Sequence, residues 1–143
     1  MESLLYATKI DKTSVAAAAA QTAITDGDII DLQDCDSVTG IAALGEVTTT
    51  SIVTLKAFTG DVATLTDGAY ETVTATVTAL VNSADNKLLV LDIIKCGKRY
   101  VRFDLTRTVA DAVIDSIIAV RYNFRTLPTV QGSDVSHGKI SVN

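Results

Sequence analysis

The chain has 143 residues, of which 48% are hydrophobic and 20% charged, with a formal net charge of −5 at pH 7. This length suits one domain with one hydrophobic core, and the apolar content excludes a chain that is disordered throughout. The acidic balance argues against a nucleic-acid partner, because affinity for a phosphate backbone comes mainly from clustered Lys and Arg.

The N-terminal third predicts short extended segments, with candidate strands at Leu4–Ile10, Ile29–Gln33 and Val38–Leu44. The alanine-rich stretch Thr13–Ile24 has good helix propensity but lacks a stripe of larger apolar residues, so it is predicted to be extended. No segment here resembles a signal peptide or a membrane span, and we expect no membrane partner.

Period-two alternation predicts the later strands. Most of Tyr70–Leu80 alternates threonine with valine or alanine, which gives a pleated strand one polar and one apolar face. The same pattern predicts strands at Thr50–Phe58 and Arg99–Thr106. Lys87–Lys95 is apolar on nearly both faces, which indicates a central or interface strand. Val113–Tyr122 is similar and rich in β-branched residues.

Turn-forming residues separate these runs. Cys96–Lys98 is predicted to be a hairpin-like join, and Arg107–Ala112 a short turn or 3₁₀ piece. Strands recurring about every ten residues favour an all-β fold, an antiparallel, jelly-roll-like β-sandwich, over βαβ units. Other turns are expected at Thr25–Asp28, Gly60–Asp61, Asp67–Gly68 and Ser83–Asn86.

The last 21 residues, Asn123–Asn143, differ from the preceding sandwich domain of residues 1–122. They contain the only proline, Pro128, and become polar from Gln131 onward. This composition predicts a C-terminal arm that packs over the surface or reaches a neighbour, or else a disordered tail.

No catalytic motif occurs in the sequence, so we expect no enzyme, no cofactor and no catalytic residue. The cysteines Cys35 and Cys96 and the single histidine His137 are too few for a zinc site made of Cys and His alone. The two cysteines are interpreted as buried free thiols, although one disulfide could also form.

Two charge clusters are interpreted as solvated turn and strand-end residues. The acidic cluster has the oxygen density that calcium prefers, but its spacing does not match an EF-hand loop, so no metal site is predicted. The basic cluster is the nearest candidate for a nucleic-acid patch. The acidic residues are Asp26, Asp28, Asp31, Asp34 and Asp36, and the basic residues are Lys95, Lys98, Arg99 and Arg102.

Four runs in a fixed order resemble a family of head decoration, or cement, proteins of tailed phages and prophages: Asp85–Ile94, Lys98–Arg102, Ala112–Val120 and Tyr122–Pro128. Upstream, Gly40–Leu44 and Ser51–Ala57 fit the same pattern. The resemblance extends from about Ser3 to Val135. One departure is Asn123-Phe124, where the family tends to carry a glycine-proline pair after the tyrosine.

The resemblance implies a structural protein that binds the major capsid protein on the outer surface of the virion and is made in the host bacterial cytoplasm. It also implies self-association as a homodimer or homotrimer. The two termini and Lys87–Lys95 are the predicted contact regions. The alternatives are another virion component, such as a head–tail joining or tail protein, or a β-sandwich module that binds sugar or calcium.

Overall fold

The computed structural model describes residues 4–81, 83–133 and 135–136. Within these ranges the chain forms nine β-strands and one single-turn helix, so the predicted all-β class is confirmed. The elements are α1 Leu4–Ala7, β1 Lys9–Ser14, β2 Ala17–Ala20, β3 Ile30–Asp31, β4 Cys35–Val47, β5 Ile52–Gly60, β6 Ala69–Thr78, β7 Leu88–Ile93, β8 Tyr100–Thr108 and β9 Ala112–Phe124.

The strands form two antiparallel sheets that face each other as a sandwich. Sheet A has the order β1-β9-β4-β7, with β2 also paired to β9, and sheet B has the order β3-β8-β5-β6. Consecutive strands mostly alternate between the sheets, as a jelly roll requires, although the jelly-roll assignment itself stays a prediction.

The core lies between the sheets and takes every second residue of their central strands. Val38, Ala42, Ile117 and Ala119 of sheet A are fully buried. They meet fully buried side chains of sheet B, namely Val53, Leu55, Ala57, Val101, Phe103 and Leu105. This alternation is why the threonine- and valine-rich sequence forms strands with one inner face.

The placement of Lys87–Lys95 as a central strand is wrong, because β7 lies at the edge of sheet A and, among the described strands, is hydrogen-bonded only to β4. Leu89 and Leu91 point into the core, whereas Leu88 and Val90 are exposed on the opposite face. The second apolar face of this strand is therefore not explained by the core of its own chain.

Three local predictions are corrected. Leu4–Ala7 is a helical turn, because the Thr8 amide and hydroxyl both donate to the Leu4 carbonyl, at 2.9 and 2.7 Å. Cys96–Lys98 joins β7 in sheet A to β8 in sheet B, so it crosses the sandwich and closes no hairpin. Arg107 belongs to β8, which leaves only residues 109–111 for the predicted turn.

Arg107 fixes the alanine-rich stretch, which is extended as predicted. Its guanidinium is buried and donates to the carbonyl oxygens of Thr22, Ala18 and Ala112 at 2.9, 2.7 and 2.7 Å, and to the Thr22 hydroxyl at 3.0 Å. A guanidinium suits this task because its donors are held in one plane. β2 is thereby attached to the end of β9.

We expect Arg107→Met to lower the free energy of unfolding by about 2–4 kcal/mol, because it removes four hydrogen bonds, one of them to the buried Ala112 carbonyl. Urea unfolding measures the loss. The matched control is Arg99→Met, which removes a solvent-exposed pair with Asp31 and should cost much less. Equal losses in the two variants would contradict the anchoring role.

Candidate interaction surface

The strand register of sheet A collects apolar side chains on its outer face, away from the core. Cross-strand partners point to the same side of a sheet. One row across the four strands contains Lys12, Ile118, Ile41 and Val90. With the rows on either side it forms a surface that we call the apolar face, composed of Ile10, Ile41, Ala43, Leu88, Val90, Ile118 and Val120.

The side chains of the apolar face are accessible to solvent. Leu88 is 62% exposed and Val90 52%, both at the open edge of the sheet. The other five are half-buried, because neighbours on a flat sheet shield one another. Contiguous apolar groups on an outer surface mark interaction sites more often than scattered single residues do.

The outer face of sheet B has a different composition. Thr54 lies between Thr76 and Thr106 in one row, and the Thr76 hydroxyl donates to the Thr54 hydroxyl at 3.0 Å. This chain therefore uses threonine where a sheet faces water. The apolar face has isoleucine, leucine and valine at the corresponding outward positions of sheet A.

Polar groups border the apolar face at one end. Asp92 accepts hydrogen bonds from the hydroxyls of Thr39 and Tyr122 at 2.6 and 2.7 Å. The pKa of Tyr122 is raised mainly by partial burial and secondly by its hydrogen bond to Asp92. An apolar centre with a polar rim is the usual anatomy of a protein–protein interface.

A smaller cluster of aromatic and charged residues lies on sheet B. Phe58 and Tyr70 contact edge to face, with ring centroids 4.8 Å apart, and the Arg102 guanidinium lies 5.1 Å above the Phe58 ring. Asp104 is fully buried beneath them and accepts from Arg102 at 2.6 Å and from the Tyr70 hydroxyl at 2.9 Å. These polar groups bond to one another, so the cluster stabilises the sheet.

The acidic cluster predicted from the sequence does not converge on one site. The hydrogen bond from Arg99 lowers the pKa of Asp31. Hydrogen bonds from Ser37 and Asn123 lower the pKa of Asp36. Among the described residues, no three His, Cys, Asp or Glu side chains are placed to hold a metal ion. Asp26 and Asp28 lie instead beside β1, in a cleft with Lys12 and Thr13.

The basic cluster is largely divided into separate ion pairs. Lys98 pairs with Asp61 at 2.7 Å, Arg99 with Asp31 at 2.9 Å, and Arg102 with Asp104 at 2.6 Å. Three of its four members thus have a carboxylate partner, Lys95 being the fourth. Paired cations leave little net positive charge to attract a phosphate backbone.

Both cysteines are free thiols, Cys35 buried and Cys96 half-buried. Burial raises the pKa of Cys35 to about 11 and also raises that of Cys96. Thiols with raised pKa values are poor nucleophiles at neutral pH, because the reactive thiolate is scarce.

The described part of the C-terminal arm packs over the N-terminal segment. The Thr129 hydroxyl donates to the Thr8 carbonyl at 2.6 Å. The Gln131 side chain donates to the same carbonyl at 2.7 Å and accepts from the Ile10 amide at 3.0 Å. His137 and the residues after it lie outside the described ranges.

No family model matches the chain, and no curated protein sequence matches it. No helix within the described ranges is long and apolar enough to cross a membrane.

The neighbours Val90 and Leu91 test which side of β7 belongs to the core. We expect Val90→Lys to change the free energy of unfolding by less than about 1 kcal/mol in dilute protein. Leu91→Lys should cost several kcal/mol, because it places a charge among buried side chains. Urea unfolding measures both, and a larger loss at Val90 would show that the faces are reversed.

Proposed function

We propose that this chain is a non-enzymatic structural protein of a virus particle, which decorates the outside of an icosahedral phage capsid by binding the major capsid protein. The observation that carries the proposal is the apolar face on an otherwise threonine-rich sandwich. Such a surface serves protein–protein contact, and three of the four residues of the basic cluster are paired with carboxylates of the same chain.

The sequence resemblance adds the virion context. Its runs Asp85–Ile94 and Ala112–Val120 contain β7 and most of β9, which supply four of the seven side chains of the apolar face. Asn123, at the glycine position of the family pattern, has a φ of 60°. Asparagine is one of the few residues besides glycine that tolerate this left-handed conformation. Asn123 therefore adopts a backbone conformation that a glycine at this position could also adopt.

A sandwich of this kind suits a cement role for physical reasons. Two sheets packed on one core resist deformation, so a contact made on one side is transmitted across the body. Many identical copies on a shell need only weak individual contacts, because binding at several points raises the effective affinity. The acidic charge of the chain is compatible with a position outside the shell, away from packaged DNA.

The sugar- or calcium-binding alternative relied on the Asp26–Asp36 cluster, whose members have separate surroundings. No observation on the described residues favours it. A head–tail joining role uses the same kind of interface and differs in copy number, about a dozen per particle by closed symmetry.

The test is co-sedimentation of the purified chain with expanded capsid shells that lack it. We expect saturable binding at a number on the order of hundreds of copies per shell, as repeated sites on a closed shell require. Shells already carrying their full complement are the control and should take up none. Saturation at about a dozen copies would favour a joining protein, and absence of binding would refute the decoration role.

A further inference from the structure

We infer that the apolar face is covered by a second copy of this chain, packed face to face about a twofold axis parallel to the strands of sheet A. The inference rests on the proposed function only in treating this face as a protein interface. It assigns this face to a second copy of the chain, so the capsid contact of the proposed function falls to the other predicted contact regions, the two termini.

The register of sheet A is self-complementary about such an axis. β1 and β7 lie at opposite edges with β9 and β4 between them. The rotation therefore places β1 of one copy over β7 of the other, and β9 over β4. Ile118 of each copy then faces Ile41 of the other, which gives four isoleucines at the centre of the interface.

The charges on the face support the same orientation. Lys12 lies on β1 at one edge and Asp92 on β7 at the other, one row apart. The twofold axis brings each Lys12 over the second copy's β7, within about 7 Å of Asp92 along the strand. A lysine stem spans such a step while its own carbons cover apolar surface. Symmetry produces two of these oppositely charged pairs.

The size of the sheet is compatible with a stable pair. β4 and β9 have 13 residues each, and β1 and β7 have six. At about 3.4 Å per residue and 4.8 Å between strands, the flat outer area is about 600 Å². A standard interface takes about 800 Å² of accessible surface from each partner, and accessible area exceeds flat area because side chains project.

The composition of the face favours self-association over a partner that arrives later. Homodimer interfaces are more apolar than the interfaces of proteins that also exist apart. A second copy is available as soon as the chain is made, so the isoleucines need not remain exposed to water. The resulting contact of two sheets resembles the packing within each sandwich.

The first measurement is the molar mass in solution by light scattering. We expect twice the 15.0 kDa of the single chain. Ile41→Lys should convert the pair to a monomer, because it places two buried charges at the centre. The matched control is Thr54→Lys, at a central strand on the outer face of sheet B, which should stay paired. Circular dichroism verifies that both variants keep their strands.

The orientation is tested by a variant that combines Lys12→Cys with Val90→Cys. These positions lie in one row but three strands apart, about 14 Å, which is too far for a disulfide within one chain. In the twofold pair they face each other across stacked sheets about 10 Å apart, a gap that a short bis-maleimide reagent spans and a disulfide does not, so this reagent should give a covalent dimer on a denaturing gel. Each single variant is a control and should cross-link much less.

A monomeric wild-type chain at about 100 μM would overturn the inference, since homodimers of this size class persist at that concentration. So would a trimer, or a dimer that survives Ile41→Lys. A dimer that ignores capsid shells would leave the inference standing and refute the proposed function. A monomer that saturates the shells would refute the inference and support the proposed function.

Discussion

The ring of Phe103, at the centre of sheet B, packs directly against the backbone of Gly40, at the centre of sheet A. A Cβ at position 40 would overlap that ring, so glycine is required for the two sheets to approach here. Phe103 is fully buried and is the largest such side chain among the described residues. This contact sets the spacing of the sheets, and it also fixes which side of β4 faces the core.

Because side chains alternate along a strand, an inward Gly40 requires Thr39 and Ile41 to point outward. The register transmits this choice across sheet A: Gly40 pairs with Ala119 and Leu91, whereas Ile41 pairs with Ile118 and Val90. A slip of one residue would exchange the two faces and place a large side chain against the Phe103 ring. The packing of the core therefore fixes which residues of sheet A point outward and form the apolar face. These residues do not occupy the outer face through a slip in register.

Strands with clear alternation were predictable from the sequence, as Tyr70–Leu80 and Arg99–Thr106 show, within two residues of β6 and β8. The sheet to which each strand belongs was not predictable from the sequence. The short Cys96–Lys98 join looks the same in sequence whether it closes a hairpin or crosses a sandwich, because the choice depends on pairings with distant strands. The edge position of β7 was unpredictable for the same reason. Its apolar residues suit burial on both faces, and whether the strand is central or at an edge depends on which strands pair with it.

Only the β7 part of the apolar face was predicted from the sequence, as the contact region Lys87–Lys95, because the seven side chains come from strands as far apart as β1 and β9. Each strand separately looks like a core strand with extra apolar residues. The usable signal was that β4, β7 and β9 all have large apolar residues on both faces, more than one core can take. The structure places the buried cation Arg107 inside and leaves Ile118 at the surface. Interior space was thus available to a polar group while isoleucine stayed outside, which is explained if that surface is buried in an assembly.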